Sequence, residues 1–298
     1  MNISAFNSGT DAIMYQLKCL DVDTIIVPQN LCPTVMARLS RNYDLILAQV
    51  RDHFEPADYA AAVPVSCDKT AVLFVHPYGI YKEHERNLIV NLCHTIIDDC
   101  CLCDPVAILR YHVKKGRRYI FSFGYSKVLD FGGGGLLISP ELPVTSAEKL
   151  MLPQNYYGIS APEGTEFSGT ISMPEFVKTP FFSWLVIISN ARTKHRNDIT
   201  TIYRSFICDE LEILDSPWRM VIKVSSDLQA EMSHILNCTE LDIFVGSNYP
   251  LLDYCSGEVS ILGHLDESAS VPLNLFHDFR FDIARAKLLG GIIKGAMT

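Results

Sequence analysis

Basic residues are the minority charge in this sequence. Its 298 residues carry 25 Lys and Arg against 34 Asp and Glu, a formal net charge of −9. A broad nucleic-acid footprint needs the opposite balance, so that class of partner is excluded. An anionic small ligand is not excluded, because local donors can hold one inside a net-negative protein. No apolar run reaches the length of a membrane span, so no membrane partner is expected. The opening stretch MNISAFNSGTDAI has neither a basic segment nor a long apolar core, and this reads as a cytoplasmic chain without a secretory leader. Zinc-like spacing is missing as well. Cysteine itself is plentiful, at ten residues, but Cys93, Cys100, Cys101 and Cys103 in CHTIIDDCCLC do not form two spaced pairs. No metal site is expected. A long chain whose cysteines lie in apolar stretches reads as reduced rather than disulfide-stapled.

What is present is a globular composition, 48% apolar and 20% charged. That length supports one large domain or two modest ones. Helix-like and strand-like segments alternate through the first half. GTDAIMYQLKCL (9–20) reads as a helix opened by Ser8 or Thr10. DTIIVP, YDLILAQV, TAVLFVHPYG, TIID, RYIFSF and GGLLIS read as strands, with CPTVMARLSR, PADYAAAV and HERNLIVNLCH as helices between them. This alternation predicts an α/β fold with a mostly parallel sheet covered on both faces. Ligands in such folds sit beyond the carboxyl ends of the strands. Near residue 150 the pattern changes to a Gly-, Pro- and Ser-rich stretch. A long helical segment follows from FFSWLVIISN. A smaller α+β unit then begins at PWRMVIKV, with a helix around LQAEMSHIL, a strand LDIFVG and a last helix around FDIARAKLLGGII. The division expected is 1–182 for the large domain and 183–298 for the linking helix and small domain.

Four short pieces stand at strand ends or at a helix start: NSGT, VHPYG, IIDD and SFGYSK. Together they suit a phosphorylated aromatic cofactor. Ser8, Gly9 and Thr10 place N–H groups and hydroxyls at a helix N-terminus, a natural phosphate seat. Ser122 adds a hydroxyl. Asp98 or Asp99 could hold the proton of a pyridine nitrogen, since a carboxylate favours the cationic ring. Lys127 could form a Schiff base with an aldehyde. The glycines at 132–135 let backbone pass close by. Each piece alone has a plainer reading: a helix cap, a solvated turn, a surface charge, a hairpin. Their order on these elements is what carries the argument.

In SGTDAI, TIIVP, VHPYG, IIDDCC, FSFGYSK, GGGG, SNYPLL (247–252) and SVPLNL (270–275), the chain resembles the DegT/DnrJ/EryC1/StrS family of pyridoxal-phosphate-dependent sugar aminotransferases. The resemblance implies fold type I, with a seven-stranded-type sheet and a small C-terminal domain. It implies pyridoxal 5'-phosphate as cofactor, Lys127 as its covalent anchor and proton carrier, and Asp99 as partner of the ring nitrogen. Ser8, Gly9, Thr10 and Ser122 would bind the phosphate, and His76 would be structural. The implied reaction moves an amino group from glutamate or glutamine to a keto acceptor such as a nucleotide-linked keto sugar, in a homodimer with shared active sites. A dehydratase relative carries histidine where this chain has Lys127, so the lysine favours transamination. Several family features differ. Several tens of residues normally precede the SGT segment, and the middle is longer. The ring-stacking residue is commonly aromatic, whereas here Leu31 or Cys32 would take that place, with weaker stacking. Leu102 replaces a glutamine, Gly133 an acidic residue, and NYYGIS lacks an arginine. These changes define a rival reading, a non-catalytic or partner-dependent homologue. His94, His112 and His195 read as surface or boundary residues, and Arg192 and Lys194 as candidate cross-subunit contacts.

Overall fold

The computed structural model describes residues 1–52, 54–64, 68–125, 127–141, 148–150, 155–163, 165–207, 211–225, 227–228, 259–261, 271–275 and 281–296. Seven strands form the centre of the main sheet: β1 (Asn2–Phe6), β2 (Thr24–Pro28), β3 (Asp44–Ala48), β4 (Thr70–Val75), β5 (Ile96–Asp99), β6 (Arg118–Ser122) and β7 (Gly135–Ser139). Their order is β1-β7-β6-β5-β4-β2-β3. Thr170–Ser172 adds an antiparallel edge strand beside β1, and Val259–Ile261 a parallel one beside β3, making nine. From β3 across to β6 every pairing is parallel; β7 runs against both β6 and β1. The α/β reading therefore holds, and the sheet is wider than the seven strands expected.

Strand residues alternate between faces, and the buried residues sort accordingly. Ile25, Val27, Ile97, Ile120 and Leu137 pack with Ile13 and Leu17 of α1 (Gly9–Leu20) and Met36 of α2 (Pro33–Leu39). On the opposite face, Ile26, Val72, Phe74 and Ile96 form one cluster, and Tyr119, Phe121, Leu136 and Ile138 another. α3 (Tyr59–Ala62), α4 (Glu83–Ile89) and α5 (Pro105–Tyr111) connect the strands in sequence. Asp104 caps α5, its carboxylate accepting from the N–H groups of Val106 and Ala107 ahead of Pro105 at the first turn, the expected chemistry of a helix start. After α6 (Met173–Phe176) comes the 25-residue α7 (Pro180–Arg204), capped by Thr179. Its first half packs on the main sheet through Trp184, Leu185 and Ile188. Its second half meets another core through Ile199 and Tyr203. That second core belongs to an antiparallel sheet of Ile213–Asp215, Met220–Val224 and Val271–Leu275, closed by the C-terminal helix Ile283–Ala296.

The helix at LQAEMSHIL beyond residue 228, the strand LDIFVG and the motif SNYPLL lie outside the described residues. Among the described residues no helix is long and apolar enough to cross a membrane.

Candidate functional site

The carboxyl ends of β5 and β6 converge on the start of α1. Asp99 closes β5 and Ser122 closes β6. Asp99 shares its face with Ile97 and Ser122 with Ile120, so both point to the side covered by α1. Ser8 is the N-cap of that helix, with extended backbone. Its hydroxyl accepts from the Asp11 N–H at 3.0 Å and donates to the Asp11 carboxylate at 2.7 Å. Arg38 of α2 pairs with the same carboxylate at 2.6 Å. Asp11 is thus neutralised, and the positive end of the helix dipole is not opposed by a bare charge.

The approach of α1 to the strands is close. A Cβ built on Gly9 would stand 2.9 Å from the Ser122 Cβ and 3.0 Å from the Cys101 Sγ. On the other side, a Cβ on Gly135 would meet the Ser8 carbonyl oxygen at 2.5 Å and the Gly9 nitrogen at 2.7 Å. Those atoms are backbone and cannot swing aside. Gly135→Ala is therefore expected to push the head of α1 off β7. The expected cost is about 1–3 kcal/mol in thermal or urea denaturation. Gly133→Ala is the control, since its added Cβ would find its nearest neighbour, the Asn7 carbonyl oxygen, at 3.9 Å. Equal destabilisation by the two alanines would refute the close-approach argument.

The two aspartates of β5 have opposite surroundings. Asp98 is fully buried on the face of Ile96. Arg86 Nε lies 3.2 Å and 3.3 Å from its two oxygens, and His76 Nε2 is 3.4 Å away. His76 Nδ1 accepts from the Lys82 N–H at 3.0 Å, so the proton of the neutral ring resides on Nε2, facing Asp98. Asp99 is also buried, at 8% exposure. Its carboxylate accepts from the Cys101 N–H at 3.0 Å, and among the described residues it makes no salt bridge. A buried carboxylate without a salt bridge is costly, which makes Asp99 a candidate for a role beyond the fold.

Lys127 follows β6 on a loop that is held firmly. Phe123 and Phe131 stack at 4.8 Å with an interplanar angle of 2°. The Phe131 N–H donates to the Phe123 carbonyl at 2.8 Å, and the Phe123 N–H to that of Gly134 at 2.9 Å. Val128 and Leu129 are buried, and the Asp130 N–H donates to the Tyr156 hydroxyl at 2.8 Å. Lys127 itself is half-buried. Its ammonium acts on the Cys101 thiol. Burial pushes that thiol well above the usual range, the Asp99 charge raises it further, and Lys127 works in the opposite direction. Cys101 therefore lies within electrostatic reach of both Asp99 and Lys127, and it touches the start of α1.

The structure thus brings Gly9, Ser122 and Asp99 against Cys101, with Ser8 and half-buried Thr10 in the same helix turn and Lys127 within electrostatic reach of the Cys101 thiol. Leu31 and Cys32 are placed differently from one another. Leu31 is 2% exposed and packs in the α1-side core, whereas Cys32 is exposed at the start of α2. Cys101 was not singled out as a site residue from sequence; its position two residues after Asp99 was the available signal. The residues present fit a phosphorylated pyridine aldehyde. Hydroxyls and a helix N-terminus can take the phosphate, a carboxylate without a counter-ion can take a ring N–H, and an amine can take the aldehyde.

No protein-family model matches the sequence, and no curated protein matches it. Solved structures do. A DegT DnrJ EryC1 StrS aminotransferase from Brucella abortus superposes with TM-score 0.64 at 15% identity, over 98% of this chain and 85% of that one. A putative sugar aminotransferase from Streptococcus pneumoniae, in its PLP form, gives 0.67 at 14% identity, over 99% and 86%. A GDP-4-keto-6-deoxymannose-3-dehydratase with a trapped PLP-glutamate geminal diamine gives 0.66 at 15% identity, over 98% and 88%. This chain has the fold of the fold-type-I aminotransferases and of that dehydratase.

Proposed function

We propose that this protein is a pyridoxal-phosphate-dependent aminotransferase that moves an amino group from glutamate or glutamine to a keto substrate such as a nucleotide-linked keto sugar. The observation that carries the reading is the contrast within β5. Asp98 is neutralised by Arg86 on one face, while Asp99 is left without a salt bridge on the face that also presents Ser122 and meets the start of α1, one loop before Lys127. When bound, the cofactor would supply the electron sink for proton loss at the donor's alpha carbon. In this reading the Thr10 and Ser122 hydroxyls and the first N–H groups of α1 hold its phosphate, and Ser8 joins them by turning its proton from the Asp11 carboxylate to the phosphate. Asp99 accepts the ring N–H and keeps the nitrogen protonated. The Lys127 amine would hold the aldehyde group and would carry the proton to and from the donor's alpha carbon. Leu31 and Cys32 both follow β2, and either would cover the ring. Lys127 favours transamination over dehydration, as the resemblance implies. The residues through 182 form the cofactor unit, and those from 183 the linking helix and small domain. The working form is a cytoplasmic homodimer with shared sites.

The test uses the purified full chain mixed with pyridoxal phosphate. A visible absorbance band that is fixed onto Lys127 by borohydride, and that bleaches when glutamate or glutamine is added, is the expected result. A band indifferent to every amino donor would support the non-catalytic homologue instead. No band would sink the cofactor assignment.

A further inference from the structure

Arg192 is only 2% exposed. It does not lie on a free face where a second subunit would meet it, as the sequence suggests; it is buried inside its own chain. Its Nε donates to the Val128 carbonyl at 3.0 Å, and its Nη2 to the Trp218 carbonyl at 3.1 Å. Val128 is the residue after Lys127. Trp218 stands just ahead of the strand Met220–Val224. A guanidinium presents its donors as a rigid planar fork, so these two bonds fix one carbonyl relative to the other. Burying the charge is costly unless such bonds are made.

The contacts continue beyond Trp218. Its ring stacks on Tyr78 at 6.0 Å, and the Arg219 guanidinium lies 4.1 Å from its centre. Tyr78 has φ 51° and Gly79 φ 80°, both left-handed. A Cβ on Gly79 would sit 1.9 Å from the Leu102 carbonyl oxygen, so this turn is pressed against the segment that follows Asp99. A single run of contacts thus links Lys127 to the Asp99 turn by way of Arg192, Trp218 and Tyr78.

We propose that Arg192 is a positioning residue that sets the Lys127 amine by tying the lysine segment to Trp218. The inference rests on the reading of Lys127 as the cofactor lysine, and its test does not need the cofactor. The cofactor-free full chain is acetylated with a water-soluble active ester, and modification is followed peptide by peptide by mass spectrometry. Exposed Lys18 and Lys178 are the internal references. Arg192→Met is expected to raise the Lys127 rate about tenfold relative to both references, as a local opening does. Arg192→Lys keeps the charge but reaches only one carbonyl, and a rise of about threefold is expected. With pyridoxal phosphate added, the dissociation constant should rise in the same order across the variants. An unchanged Lys127 rate in both variants overturns the proposal. So does an equal rise at all three lysines, which means general loosening. Should Arg192→Met fail to fold, the Arg192→Lys ratio decides. Failure of the wild type to form any cofactor adduct would defeat the cofactor reading alone, because the labelling ratio still reports what Arg192 does to Lys127.

Discussion

Lys127→Ala is expected to abolish the borohydride-fixed cofactor adduct and to lower the amino-donor half-reaction by about 10²–10⁴-fold, the range for losing a positioned proton carrier. The fold should survive. The loop around Lys127 is held by the Phe123–Phe131 stack, by buried Val128 and Leu129, and by backbone bonds that include the Lys127 N–H to the Gly124 carbonyl at 3.2 Å. None of these uses the amine. Circular dichroism and the unfolding midpoint should therefore match the wild type, while the visible band disappears. Pyridoxal phosphate should still associate without a covalent bond, because the helix start, Ser122 and Asp99 are untouched. Small primary amines added to the variant should restore part of the rate, since what is missing is a base rather than a shape. An adduct that persists in Lys127→Ala would assign the covalent bond to another lysine and remove Lys127 from the reaction.

Much of this site is legible in the sequence because it depends on local signals. Ser8 before GTDAI is a cap followed by an amphipathic helix, and the helix spans Gly9–Leu20. TIIVP and TAVLFV are short apolar runs and IIDD is an apolar pair followed by two aspartates, and each is a buried strand. Other features escape a reading of that kind. β1 offers only ISAF as an apolar signal, and its strand character comes from pairing with β7 from Asn2↔Ser139 to Phe6↔Gly135, which is a contact across more than a hundred residues. α5 has its start signal in Asp104 and Pro105, but it is short and follows a cysteine cluster that masks its helical pattern. The different roles of Asp98 and Asp99 follow from which face meets Arg86 and which meets α1, and strand alternation shows only that the faces differ. Arg192 reads as a candidate cross-subunit contact, yet its helix is clasped between two cores of its own chain.

Arg86→Met tests the other half of the β5 contrast and carries the largest expected stability effect. Asp98 is wholly buried, and Arg86 is its closest cation. Removing the guanidinium strands a carboxylate away from water, and breaking such a pair costs about 3–5 kcal/mol. His76 does not replace the lost cation: its Nδ1 accepts from the Lys82 N–H, which leaves only one N–H, on Nε2 at 3.4 Å, to offer Asp98. The double variant Arg86→Met/Asp98→Leu removes the stranded charge, and most of the loss should be recovered. Urea denaturation of both variants and of the wild type measures this directly. A single variant as stable as the wild type would show that Asp98 does not depend on Arg86. The same comparison bears on the site. Asp98 and Asp99 are consecutive residues of one strand, so the burial of Asp98 fixes which way Asp99 points. If the double variant regains stability and also regains cofactor affinity, the ion pair serves the fold. If stability returns and affinity does not, then the Arg86–Asp98 pair also orients the carboxyl end of β5, where Asp99 would meet the cofactor in the proposed reading.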